Sequence, residues 1–124
     1  MDKEALGKVL RPLLRGLNGT SLEIEASAVI SKDGLVISAV LNEGVDEDRL
    51  GAMCATMLSL GDTTSRELDR GELEQVLIKG SNGYVLIVEI GKNAVLAVVA
   101  RATINLGMVF LEAKKTAETA SQHF

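Results

Sequence analysis

Aromatic side chains are nearly missing: 124 residues include no Trp, one Tyr and two Phe, a 2% share. A core must therefore come from Val, Ile, Leu, Ala and Met. Single-stranded nucleic acid, which is held by stacking on aromatic platforms, finds no platform here. Positive charge is also short. A net charge of −4 weighs against a duplex reader, which needs a dense cationic face to neutralise phosphates. The single cysteine, Cys54, excludes an internal disulfide and gives no sign of an oxidising compartment. The single histidine, His123, is next to last in a stretch, 121–124, where fraying is expected. Neither a Ser–His nor a Cys–His pair is then available to activate a nucleophile. No apolar run approaches the ~20 residues that span a bilayer. The start, Met-Asp-Lys-Glu, has neither the basic n-region nor the apolar stretch of a secretory signal. These absences predict a cytoplasmic, non-enzymatic protein without cofactor, bound metal, nucleic acid or membrane among its partners.

What is present suits one globular domain over residues 1–124: 47% hydrophobic and 24% charged residues, with no linker, repeat or low-complexity segment. Asp2 is placed to cap a first helix. Leu6, Val9, Leu10, Leu13, Leu14 and Leu17 follow at spacings of three and four, one apolar stripe, with Lys8, Arg11, Pro12 and Arg15 on the far side. Pro12 removes one helical bond on a wet face, so a kink is expected instead of a break. Asn18-Gly19 ends the helix. From Ile24 the period becomes two, with Ile24, Ala26, Ala28 and Ile30 predicted on one face. Lys32-Asp33-Gly34 reads as a hairpin turn into a second strand, 35–41.

Asp46-Glu47-Asp48 opens a second helix with acids at its positive end; no Ca²⁺-loop spacing accompanies them. That helix is predicted to run to about Asp69, with Gly71 closing it. Three strands follow, 72–79, 84–90 and 94–100, separated by glycine-containing turns at 80–83 and 91–93. Those glycines lie between strands and not at a strand-to-helix junction, so hairpins explain them and phosphate cradling does not. A last helix starts near Asn105 and carries Leu106, Val109, Phe110, Ala113, Ala117 and Ala120 on one face. The order α-β-β-α-β-β-β-α predicts an α+β fold, a five-stranded antiparallel sheet with two helices on one face and one on the other. Strands 84–90 and 94–100 are apolar on both faces and belong at its middle.

The second helix is informative for what it omits. From Leu50 to Gly61 it carries no charge. Leu50, Met53, Cys54, Met57, Leu58 and Leu60 are predicted to cover the sheet, with Cys54 a buried thiol. Gly51, Ala52, Ala55, Thr56 and Ser59 form a small, mild opposite side, where a surface helix ordinarily bears Lys or Glu. Either that side meets a second chain or it is a polar-poor surface. Strand 72–79 adds a hint: it alternates loosely, and at a sheet edge its free backbone groups would pair with another strand. Two copies joined edge to edge, second helices side by side, would satisfy both with two-fold symmetry. The candidate interface is therefore Gly51, Ala52, Ala55, Thr56 and Ser59 on the helix and Leu73, Gln75 and Leu77 on the strand. Asp62 and Arg66 are either its rim or a solvated face. A glutamate at Ala55 is expected to split such a dimer or abolish partner binding while leaving the fold intact.

The segments AVISKDGLVISA (28–39), GELEQVLIKGSNGYVLIVEI (71–90), AVLAVVA (94–100) and NLGMVFLEAKKTAE (105–118) resemble the Roadblock family. That family includes dynein light chains and bacterial and archaeal regulators of Ras-like GTPases. The resemblance spans about residues 3–120, and its motifs are turns and strands, which specify fold better than partner. It implies a homodimer with one continuous sheet and a platform of paired second helices that engages the GTPase. It brings no catalytic motif, so only regions transfer: the second helix, about 46–69, and the edge strand, 72–79. The family is similar in fold to longin and profilin-like adaptors. No long terminal extension is expected to add a further function. The resulting expectation is a homodimeric regulator or scaffold for a small Ras-like GTPase or other NTPase. The alternative is a small-molecule sensor with a ligand between sheet and helix, and a purely structural assembly subunit differs from the first only in its partner.

Overall fold

A computed structural model describes residues 2–124. The Asp2 carboxylate accepts a hydrogen bond from the Ala5 N–H at 2.8 Å and starts helix α1, Lys3–Gly19. A cap of this kind contributes about 1 kcal/mol. Leu6, Leu10, Leu14 and Leu17 are buried, while Val9 is 36% exposed and Leu13 half-buried, so the apolar stripe is narrower than its sequence spacing implies. Pro12 lies inside the helix on the exposed side. At roughly 1.5–3 kcal/mol for each buried leucine, the stripe outweighs the one backbone bond that Pro12 removes.

Strands β1, Ile24–Ser31, and β2, Val36–Val40, form a hairpin whose turn places Gly34 at φ +95°. The expected common face of β1 is corrected at its start. Ile24 pairs with Ala100 but Ala26 pairs with Val99, so Glu25 is an extra, bulged residue. The bulge turns Ile24 into the core beneath α1, away from Ala28 and Ile30.

Helix α2, Glu47–Glu67, is capped by Asp46, whose carboxylate accepts from the Arg49 N–H at 3.1 Å. It stops before the expected Asp69. Asp69 itself takes the left-handed conformation, φ 55°, and the Arg70 N–H donates back to the Ser65 carbonyl at 2.7 Å, the closing bond of a Schellman turn. Gly71, also at positive φ, lies two residues beyond that stop.

Strands β3, Gln75–Gly80, β4, Gly83–Ile90, and β5, Ala94–Arg101, follow as a meander. β3 starts three residues after the expected Glu72. Helix α3, Leu106–Ser121, is capped by Asn105. Beyond it the N–H groups of Gln122 and His123 donate to Thr119 and Ala120, so the tail continues as hydrogen-bonded turns where fraying was expected.

The sheet order is β2-β1-β5-β4-β3, all antiparallel, with β5 central and β2 and β3 at the edges. α1 and α3 cover one face through Leu10, Leu14, Leu96, Val98, Val109 and Ala113. α2 alone covers the other through Leu50, Cys54 and Leu58 on Ile30, Ile87 and Val95. The buried Ser27 hydroxyl donates to Asn18 Oδ1 at 2.6 Å, and Asn18 Nδ2 donates to the Val40 carbonyl at 3.3 Å, which ties the end of α1 to the β1–β2 hairpin. No helix among the described residues is long and apolar enough to cross a membrane.

Candidate partner-binding site

Helix α2 presses on the sheet along Leu50, Cys54 and Leu58, spaced four apart and buried. Gly51 is buried beside them. A Cβ there would overlap the Gly34 carbonyl oxygen, so this is where helix and hairpin turn meet most closely. Gly51 is thus corrected: it faces inward, not toward a second chain. Ala55 is half-buried against the same turn, its Cβ 3.3 Å from where a side chain on Gly34 would start. Met53 and Leu60, expected to be covered by the sheet, are instead 49% and 68% exposed, Met53 at the rim of the α2–sheet contact. Cys54 is buried among apolar side chains, which pushes its thiol from 9.0 up to about 11. It is therefore a packing group and not a nucleophile.

The rotation of α2 leaves two unlike flanks. On one, Ala52, Met53, Thr56 and Met57 face Ile78 and Val85 of the sheet across a groove of about 500 Å³ with almost no polar lining. On the other, Ala55, Ser59, Asp62 and Arg66 border a cleft of about 310 Å³ that also takes in Lys32, Leu73 and Glu89. Asp62 and Arg66 form an ion pair at 3.2 Å, and Glu89 accepts from Lys32 at 3.4 Å. Both pairs are solvated and contribute at most about 1 kcal/mol each, so they shape a rim more than they hold the fold.

Edge strand β3 runs beside the groove. Its register with β4 is unbroken from Gln75↔Val88 to Gly80↔Gly83. Directly opposed residues share a face. Val76 and Ile78, opposite Ile87 and Val85, therefore lie on the α2 side, and Gln75 and Leu77, opposite Val88 and Leu86, on the α1/α3 side. Gln75 and Leu77 are exposed, Leu77 by 41%, but away from the groove. Leu73 is half-buried and packs under α2, 3.1 Å from where a Cβ on Gly61 would stand.

The ten candidate residues thus fall in separate places. Ala52 and Thr56 line the apolar groove. Ala55, Ser59, Asp62, Arg66 and Leu73 line the polar cleft. Gln75 and Leu77 face the opposite side of the sheet, and Gly51 is internal. Sequence reasoning missed Met53, Met57, Leu60, Ile78 and Val85. For Ile78 a signal existed, since the strand period places it with Val76 and against Gln75 and Leu77. For Met53 and Leu60 there was none, because a helix uncharged all round gives no direction. Among the described residues no three His, Cys, Asp or Glu side chains gather as a metal site.

Residues 14–100 match the Roadblock/LC7 domain. The chain belongs to that family. An uncharacterised Methanocaldococcus jannaschii protein, MJ1340, is 37% identical over 101 residues, which cover 82% of this chain and 88% of the relative. Among solved structures, MglB in a tetrameric arrangement superposes with a TM-score of 0.86 at 19% identity, over 96% of this chain and 90% of that one. The gliding protein MglB of Thermus thermophilus gives 0.85 at 18% identity with the same coverage. Acanthamoeba castellanii profilin II gives 0.64 at 19% identity, over 93% and 99%. At such identities these structures speak for the fold: a Roadblock architecture within the wider profilin-like α+β class.

Proposed function

We propose that this Roadblock/LC7 chain is a non-enzymatic homodimer in the cytoplasm, and that its paired α2 helices form a platform for a small Ras-like GTPase. The observation that carries the dimer is a fit between two parts of one surface. Gly61 sits over Val76, while Ile78, two residues along the same strand, lies bare beside the groove. Antiparallel pairing of two β3 strands about Leu77 puts Val76 of each copy opposite Ile78 of the other. The second half of each α2 then arrives beside the other copy's groove, and the exposed Leu60 is the apolar side chain at hand to fill it. The backbone groups of β3 gain partners in the same step.

Such pairing consumes the apolar groove and leaves the polar cleft, with Ala55, Ser59, Asp62 and Arg66, facing out from the platform toward a partner. The Ras-like class of that partner rests on the family resemblance. The chain's part is to hold switch segments in one arrangement, donating no catalytic group. The small-molecule alternative has less support: Leu50, Cys54, Leu58, Ile87 and Val95 fill the core between α2 and the sheet, and the groove at its flank has almost no polar group to orient a ligand. The test is to mix the purified chain with each Ras-like GTPase of its own cell, loaded with GDP or a GTP analogue, and to measure binding by calorimetry. A complex with one nucleotide state is expected. No complex with any of them in either state would overturn the GTPase assignment.

A further inference from the structure

The two edges of the sheet are built differently, and the difference bears on how far an assembly can grow. At β3 the residues are exposed save the half-buried Val76, and the ladder to β4 is regular. At β2 every residue is half-buried or buried. The β1–β2 register slips between Val29↔Ser38 and Ile30↔Val36, so Ile37 is an extra residue in the edge strand. A bulge makes two consecutive side chains face the same way. Here it gives both Ile37 and Ser38 to the α1 side: Ile37 packs into the core under α1, and the Ser38 hydroxyl donates to the Gly7 carbonyl at 2.9 Å.

Gly7 completes the clamp. A Cβ at this position would stand 2.5 Å from the Ile37 carbonyl oxygen, so α1 lies on the edge strand as closely as a helix can. Any side chain would lift it. The Asn18 bond to the Val40 carbonyl holds the far end of the same strand. Bulges and covering helices are the devices that blunt an edge against further pairing. β3 has no bulge, and only α2 lies over it, at Val76.

We infer that the Gly7–Ile37–Ser38 clamp closes the β2 edge to strand addition, so that assembly of this chain ends at two copies joined through β3 and does not propagate into a longer sheet. The inference builds on the proposed dimer: one open edge and one closed edge give a closed pair, whereas two open edges give a polymer.

The experiment is sedimentation velocity over a range of protein concentrations, with circular dichroism to confirm folding. Four chains are compared: wild type, Gly7→Leu, Ile78→Asp, and the two substitutions together. Wild type is expected at two copies at every concentration and Ile78→Asp at one. Gly7→Leu is expected to add species beyond two copies that grow with concentration. The double variant is expected to regain a two-copy species, paired now through β2. Should Gly7→Leu fail to fold, Ser38→Ala, which removes the clamp bond without adding bulk, is expected to show the same growth in weaker form. A folded Gly7→Leu, or failing that a folded Ser38→Ala, that keeps the wild-type size would overturn the clamp. So would wild type that already polymerises. A monomeric wild type would instead overturn the β3 dimer, and the clamp would still be read from whether Gly7→Leu begins to associate.

Discussion

Gly51 and Cys54 lie one turn apart on α2, and both answer to the sheet beneath them. By intrinsic propensity, Gly51→Ala should gain roughly 1 kcal/mol of helix stability. The Gly34 carbonyl oxygen occupies the space that the new methyl needs, and forcing atoms into a packed site costs about 1–3 kcal/mol. The overlap wins, so a lower Tm is expected in a thermal melt of Gly51→Ala, against the propensity rule. Cys54 makes a pH-dependent case. Its thiol is raised from 9.0 to about 11 by burial, so the fold holds this proton more tightly than the unfolded chain does. The stability that this contributes is complete below pH 9 and drains away as pH rises toward 11, by roughly 2–3 kcal/mol. Urea titrations at pH 8, 9, 10 and 11 should show that slope in wild type and lose it in Cys54→Val. The burial of Cys54 was legible in the sequence because it falls four residues from both Leu50 and Leu58. The inward turn of Gly51 was not, because it depends on a hairpin seventeen residues earlier in the chain.

Helices and strands were legible to within a few residues wherever a period or a cap announced them. Asp2, Asp46 and Asn105 each start a helix through a side-chain oxygen. Boundaries slipped where the deciding contact was local but unmarked by type, as at Asp69, which takes the left-handed stop that glycine usually takes. The rotation of α2 was the costly miss. Its uncharged middle reads equally well in several orientations, and only packing on the sheet chooses among them. Met53 and Leu60 are therefore exposed, and the surface proved more apolar than the sequence suggested. The same rotation moves the best mutational probe. Ala55 is half-buried against Gly34, so a glutamate there would disturb the fold as well as any interface. Thr56 is exposed in the groove wall and its hydroxyl donates only to the Ala52 carbonyl of its own helix, at 2.9 Å. Thr56→Glu is expected to weaken dimerisation at least about tenfold, since an unpaired charge would be buried at the contact. Its Tm measured below the wild-type dissociation constant should stay within a few degrees of wild type. A fall in Tm under those dilute conditions would place Thr56 in the core of the monomer.

The chain as a whole is a sheet covered by two helices on one face and one on the other, with the single-helix face left partly bare. Its element order and central strands were predictable from runs of apolar residues on both sides of 84–90 and 94–100. The unequal edges were not, because the bulge at Ile37 and the approach of Gly7 appear only in the register. Met53, Leu60 and Ile78, each exposed by 41% or more, are the cost that a solitary chain would bear. Met53 and Ile78 line one apolar groove, the surface that the proposed dimer would cover. Burying one such side chain is worth roughly 1.5–3 kcal/mol, and two-fold symmetry doubles each gain. The measurement that decides the matter is the molecular mass in dilute solution of wild type beside Ile78→Asp, by sedimentation equilibrium. The expected result is twice the chain mass for wild type and the chain mass for the folded variant. Wild type that sediments as a lone chain across the micromolar range would contradict it.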